Sequence, residues 1–436
     1  MVGKTKVGAA SPMGFILGFG IVSMLMDIVY EAALSVQGPL LYSVGATAAV
    51  VGLVSGLGEA TSLAGRLASG PAADRSGRYW TFALLGYAAT GLAVPAMGFA
   101  GSVLGVSFLI VFERFGKSLR TPSRDAMLSH AASRVGRGKG FAFHEALDQV
   151  GAVAGPLIAA AILQATHNAY GPALGVMFIP GLGAIGVLLC LRYRVPRPEV
   201  FEEDDEADSA EDDAVSASKV SAAEPIKLPR LFWIYMGFCG LVLAGVGTFG
   251  VMSFHMVSAQ IVSAPTVAVL YAVAMGVDGV FALITGSIYD KVGVRVLFVL
   301  PVVSAIVPLF AFGNSLVSVI AGVVLWGASL GIQESTMRAA VADMVPGCKR
   351  ATSYGMLSVF MGVGSFVGAG VTGALYAHGQ AAIVMYALVL EAAACVLFLA
   401  SRGARGWVRR KCCSASIGKE NTPGRCFYRE CYAFAL

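Results

Sequence analysis

Charge is scarce in this chain. Asp, Glu, Lys and Arg make up 13% of its 436 residues, where soluble domains carry about a quarter. Apolar residues make up 57%, and the mean hydropathy is +0.75, which excludes a soluble enzyme. Short alternating segments, the mark of a transmembrane barrel, are also missing. The apolar stretches are long instead, and 54 glycines suit closely packed membrane helices. No phosphate-cradling Gly-x-x-x-x-Gly-Lys-Ser/Thr sequence occurs, so direct nucleotide hydrolysis is not expected. No nucleophile is paired with a base, and neither enzymatic activity nor a cofactor is expected. The lysines and arginines are dispersed rather than gathered in a basic domain, which argues against nucleic acid as a partner. Metal-ligand spacing is absent among the cysteines. Cys190, Cys239 and Cys395 fall in apolar runs, Cys348 in a short basic loop, and Cys412, Cys413, Cys426 and Cys431 in the tail. No small-residue cleavage site follows the first apolar run, so it reads as an uncleaved span.

Twelve apolar runs are present, at approximately 13–36, 46–70, 79–98, 103–127, 140–165, 172–193, 231–257, 265–288, 294–312, 314–338, 352–376 and 380–400. Twelve spans of about 20 residues use roughly 240 positions, which this length accommodates. The expected fold is all-α and integral to the lipid bilayer, with twelve transmembrane helices in two six-helix bundles over 13–195 and 230–401. Residues 1–12 form a short N-terminus and 402–436 a tail. The segment 196–229, with Glu202, Glu203, Asp204, Asp205 and Glu206, has the composition of a disordered linker.

Turns after even-numbered runs hold Arg75, Arg78, Arg134, Arg137, Lys139, Arg194, Lys291, Lys349, Arg350 and Arg405, whereas turns after odd-numbered runs hold no base. By the positive-inside rule both termini and the acidic linker are cytoplasmic. The halves also repeat. Gly70, Asp74, Arg75 and Gly77 return as Gly286, Asp290, Lys291 and Gly293; Arg124 returns as Arg338; Gly151 and Gly155 return as Gly364 and Gly368. Duplicated bundles meeting about a pseudo-two-fold axis place a site at their interface and alternate access by rocking. A secondary transporter of a small-molecule solute is therefore expected. It is expected to be monomeric, since each half supplies the other's interface.

The segment Gly70-Pro-Ala-Ala-Asp74-Arg75-Ser-Gly77-Arg78 resembles the signature of the major facilitator superfamily, Gly-x-x-x-Asp-Arg/Lys-x-Gly-Arg-Arg/Lys after helix 2. It departs at Tyr79, where the family usually has a second base, and the looser second copy continues with Val294 and Arg295. The resemblance covers 13–401. It implies that Asp74, Arg75 and Arg78 gate the cytoplasmic ends of the halves. Gly151-Ala-Val-Ala-Gly155-Pro156 resembles the family's antiporter motif, although Ala159 and Ala160 stand near the place of its later paired glycines. Helix packing explains this motif as well as antiport does.

Ionisable residues inside the runs cost several kcal/mol unless paired or solvated, and mark pathways. Run 1 carries Asp27 and Glu31 on one face, beside Tyr30. On run 4, Glu113, Lys117, Arg120 and Arg124 form a single stripe expected to face a cavity, and Arg114 lies about 100° round the helix. Run 5 adds His144, Glu145 and Asp148. A proton relay, a metal site completed by Asp27 or Glu31, and plain ion pairing with Lys117 or Arg120 are the three readings of that group; no metal is assigned. The second half holds His255, Asp278, and the i, i+4 pair Glu334 and Arg338, while Glu59 and Arg66 on run 2 are secondary candidates. The resemblance implies that helices 1, 4, 7 and 10 line the pathway, which puts Asp27, Glu31, Lys117 and Arg120 against substrate. The leading expectation is proton-coupled export of a small organic or amphipathic solute across the plasma (inner) membrane. An uncoupled facilitator or importer is the alternative, and a metal-ion exporter or transporter-fold sensor a more distant one.

Overall fold

A computed structural model describes residues 11–135, 137–198, 200–201, 230–345 and 350–403. The acidic run 202–206, the tail cysteines and the side chains of Arg134, Arg137, Lys139, Lys349, Arg350 and Arg405 lie outside the described residues. In chain order the helices are α1 Pro12–Ser43, α2 Ala48–Ser76, α3 Tyr79–Met97, α4 Val103–Val135, α5 Arg137–Ala165, α6 Tyr170–Gly175 and α7 Phe178–Arg194. The second half contributes α8 Arg230–Val246, α9 Phe249–Ser258, α10 Ala264–Val292, α11 Val299–Ala311, α12 Leu316–Met344, α13 Arg350–Leu375 and α14 Gln380–Gly403. No strand occurs among the described residues.

Ten stretches of the described chain are long and apolar enough to cross a bilayer. One of them, Ala264–Ala311, is 48 residues long and folds as α10 and α11, joined by a short 3-10 turn at Gly293–Phe298. Adding α4, which carries too many charges to register as apolar, brings the count to twelve. Runs 6 and 7, expected unbroken, are each split. α6 gives way to α7, and α8 to α9, where Gly247 takes φ 75°. That left-handed conformation ends α8, and a glycine tolerates it without a Cβ clash.

Helix ends follow local chemistry. Ser11 caps α1 by accepting from the Gly14 N–H at 3.1 Å, with Pro12 in the first turn, and Thr47 and Ser315 cap α2 and α12 similarly. The stretch from Gly70, expected as a reversal, is helical through Ser76; Gly77 alone, at φ 61°, makes the turn. Its repeat, Gly293, has φ 68°.

The turns without bases lie at one end of the bundle and the base-bearing turns at the other. The halves meet through α2 against α13, α5 against α10, and α1 against α9 and α10. These pairs exchange under the repeat. At the end without bases, backbones touch: a Cβ on Gly38 would strike Gly250, and one on Gly52 would strike Ala369 and Gly373. One apolar core there runs continuously from α1 through α9, α10 and the start of α12. Towards the basic end the second half has a separate core, built on Phe232, Phe238, Leu297, Ile332, Met337 and Phe398. The apolar core is thus shared by the two bundles at one end and split between them towards the other, where α2 and α13 still touch through Leu67 and Gly355.

Candidate functional site

The charged residues of α1, α2, α4 and α5 converge midway along the first bundle. Tyr30 is the hub: Lys117 donates to its hydroxyl at 2.7 Å and lies 3.9 Å from the ring centroid, with Arg114 at 5.1 Å and Arg120 at 5.9 Å. A tyrosine ring face attracts cations, more strongly where water is excluded. Arg114 is buried and held by two acids, Glu59 on α2 at 3.0 Å and its neighbour Glu113 at 3.5 Å.

The stripe on α4 does not face one cavity. Glu113 and Arg120 turn towards α3, where Thr90 donates to Glu113 and accepts from Arg120 at 2.6 Å; Arg120 also covers the Tyr87 ring. Arg114 turns to α2 and Lys117 to α1. A helix turn spreads neighbouring long side chains over different faces, so one stripe at the backbone serves three partner helices.

Further towards the basic end lies a second cluster. His144 shares a 2.9 Å hydrogen bond with Ser23 through Nε2, and its Nδ1 is 3.4 Å from Asp148. The cation beside Asp148 is Arg124, at 3.8 Å, rather than the expected Lys117 or Arg120; Arg124 also pairs with Asp125 at 2.9 Å. His144, Glu145 and Asp148 offer ligand atoms within 4.8 Å of one another. Glu145 therefore joins the two ligands expected from sequence. The Arg124 guanidinium stands beside Asp148, and the Ser23 hydroxyl engages the other imidazole nitrogen.

Across the interface, Tyr271 on α10 donates to the buried Glu31 carboxylate at 2.6 Å. Glu334 on α12 stands within electrostatic reach of Glu145, Lys117 and Glu31. Asp278 on α10 is near Glu334, Glu31 and Glu145, with Gln149 of α5 reaching it. Glu145, Glu334 and Arg338 are exposed, and Asp27 and Lys117 partly so. Charges from both halves therefore share an accessible cleft where the cores divide. Among the described residues no ion pair within 4 Å joins Glu334 to Arg338, although i, i+4 spacing suggested one. His255 lies apart at the end without bases, tied to Tyr376 at 2.9 Å and to the Gly313 carbonyl at 3.2 Å.

Gly151 and Gly155 seat α5 on α1, where an added Cβ would meet the carbonyls of Met24 and Ile28; Gly364 and Gly368 seat α13 on Gly240 and Ala244 of α8 in the same way. Pro156 follows inside α5. In the loop motif, Asp74, Arg75 and Arg78 are exposed, as are Asp290 and Lys291. Tyr79, standing where the second base was expected, donates to Asp74 at 3.0 Å.

The model of the Major Facilitator Superfamily matches residues 13–277 and 248–411. The chain belongs to this superfamily. Within it, the chain is 46% identical over 405 residues to the uncharacterized protein Rv2265 of Mycobacterium tuberculosis, covering 92% of this chain and 97% of that one. The uncharacterized MFS-type transporter MJ1317 of Methanocaldococcus jannaschii is 25% identical over 398 residues, covering 88% and 94%. Among solved structures, the fold is similar to the nucleoside transporter NupG, with TM-score 0.64 and 13% identity over 89% of this chain and 98% of that one. A bacterial homolog of the human lysosomal transporter Spinster, in an inward-facing and occupied conformation, also gives TM-score 0.64, at 16% identity over 89% and 96%. The family match makes the chain an integral membrane transporter of this superfamily, and the solved structures share its fold.

Tyr271 was not legible as a site residue, because a tyrosine in an apolar run carries no sign of its partner. Glu391, the one acid in run 12, carries such a sign, being a carboxylate amid nineteen apolar or small positions, and belongs with the intramembrane charges.

Proposed function

We propose that this chain is a proton-coupled exporter of a small organic or amphipathic solute. It works by alternating access in the plasma (inner) membrane as a monomer, with both termini and the basic turns in the cytoplasm. With that orientation the end towards which the apolar core splits faces inward, and the cleft holding the exposed Glu145, Glu334 and Arg338 receives solute from the cytoplasm.

The observation that carries the coupling is the Tyr271 to Glu31 bond. It joins the two halves beside Lys117, and its acceptor is a carboxylate. A hydrogen bond to an ionised acceptor is roughly twice as strong as a neutral one. A proton on Glu31 weakens the tie between α1 and α10, and loss of that proton restores it. The carboxylates Asp27, Asp148, Glu145, Asp278 and Glu334 surround the same cleft, and His144 links Asp148 to Ser23, giving protons a path to the basic end. Lys117, partly exposed and held by the Tyr30 hydroxyl with no carboxylate within ion-pair distance among the described residues, is free to meet an acidic group on the solute. Disengaged at the basic end, Asp74, Arg75 and Arg78 form the cytoplasmic gate when the halves close there.

The test measures proton release by purified protein in unbuffered detergent as a chemically mixed ligand library is added. Wild-type protein is expected to release protons with the ligands it binds, and Glu31→Gln, Asp27→Asn and His144→Gln to bind them with the proton signal reduced or lost. Ligand binding by the wild type with no proton signal overturns the coupling and leaves an uncoupled facilitator.

A further inference from the structure

The core-facing stripe of α14 is Ile383, Ala387, Glu391, Ala394 and Phe398, each at most 2% exposed. Glu391 is 1% exposed, and both of its carboxylate oxygens are buried with no hydrogen-bond partner. Its Oε1 lies where a Cβ on Gly245 would be. Gly245 is in the last turn of α8, two residues before the Gly247 break.

No charge answers this carboxyl. Among described side chains, α8 brings only Tyr235, Cys239 and Arg230, the last fifteen residues from Gly245 and so about 22 Å along the helix. α11 has no titratable residue, α13 brings Tyr354, and α14 itself brings Tyr386 and Cys395. Thr248, in the break itself, has a buried hydroxyl without a partner. The last carbonyls of α8 lie at the same place, and the C-terminal end of an interrupted helix carries partial negative charge. The surroundings are thus oxygen-rich and supply no cation.

Packing does not demand an acid here. The duplicated position shows what packing alone requires. The core stripe of α7, Met177, Gly181, Ala184 and Leu188, returns on α14 at a shift of 210 as Ala387, Glu391, Ala394 and Phe398. An added Cβ on Gly181 there meets the Gly91 backbone of α3 first, at 3.4 Å, with Val29, the counterpart of Gly245, at 3.8 Å. The first half thus fills this place with backbone and an apolar side chain and holds no ionisable group, whereas the second half puts a carboxyl there.

We infer that Glu391, seated on Gly245 at the α8–α9 break, is a binding site for one small monovalent cation, a proton or Na⁺, separate from the charged network of the first half. Discontinuous helices in transporters place carbonyls and half-helix C-terminal ends around such ions. A proton completes the site by giving one carboxyl oxygen a donor that turns to a freed α8 carbonyl. Na⁺ completes it by drawing the two carboxyl oxygens and neighbouring carbonyls onto one centre.

The experiment uses the full chain in lipid nanodiscs, with no transported solute present. The carbonyl-stretch band of protonated carboxyls is recorded by infrared difference spectroscopy as pH is varied over the range in which the protein stays folded. Thermal stability is recorded as NaCl replaces choline chloride at constant ionic strength. Glu391→Gln and Glu391→Val are compared with wild type, the valine variant reproducing the apolar partner of the first half and keeping the test valid should glutamine disturb folding. The expected result is one of two losses in both variants: a pH-dependent carboxyl band, identifying a proton site, or an Na⁺-dependent rise in melting temperature, identifying a sodium site. A Glu391 band constant across the whole pH range together with an Na⁺ response unchanged in the variants, or variants whose spectra and Na⁺ response both match wild type, overturns the proposal. Neither readout depends on Glu31 or on ligand-driven proton release, so this inference and the coupling mechanism fail separately.

Discussion

Arg114 is the residue on which most of the buried charge balance rests. It neutralises Glu113, itself buried, and the partly exposed Glu59, and it lies against the Tyr30 ring. Replacing one member of a buried pair leaves an uncompensated charge and costs about 3–5 kcal/mol, with the lower figure apt here because Glu59 reaches water. Arg114→Met is therefore expected to lower the melting temperature sharply in detergent, and adding Glu113→Gln to recover part of that loss; a single mutant as stable as wild type would refute the pairing. Tyr271→Phe makes a milder test at the interface. It removes only the hydroxyl on Glu31, and should leave folding intact while changing the balance between open and closed cleft, read as altered accessibility of a cysteine introduced at Glu145. Sequence alone made these charges visible and left their partners hidden. Asp27, Glu31, Lys117 and the rest stood out because ionised groups in apolar runs are costly. That Asp148 pairs with Arg124 rather than Lys117, and that Glu334 and Arg338 do not pair, depends on side-chain directions and on helices distant in sequence.

At the scale of helices, glycines set which backbones can touch. Gly155 faces the Ile28 carbonyl and Gly368 the Ala244 carbonyl, whereas Gly370, two residues on, has nothing within 4 Å of an added Cβ. Gly155→Val and Gly368→Val are expected to destabilise by about 1–3 kcal/mol through overpacking, and Gly370→Val to be nearly neutral, measured as folded yield and melting temperature. Equal behaviour of the three would show that the glycines act through chain flexibility instead. The repeated spacing of these glycines was readable in the sequence, as were the twelve runs. The splitting of run 7 was not. Gly247 lies among Gly240, Gly245 and Gly250 in one apolar stretch, and only the packing around Glu391 and α9 selects which of them breaks the helix. The extension of α2 through Ser76 was equally hidden, since Pro71 and Gly70 read as turn residues although membrane helices accommodate them.

Under the proposed alternating access, the working motion separates α2 from α13 at the end without bases, where Gly52 meets Ala369 and Gly373. A Cβ on Gly56 would lie 3.1 Å from that of Ala369, close to the range a disulfide spans. In a variant freed of native cysteines, Gly56→Cys with Ala369→Cys is expected to cross-link on oxidation and to arrest solute movement in proteoliposomes, with recovery on reduction. Transport undiminished by a formed cross-link would rule out rocking about this contact. The seat of Glu391 on Gly245 also sets how little room its carboxyl has. A Cβ on Gly245 would collide with Oε1, so any side chain larger than hydrogen at that turn of α8 would evict the acid from its place.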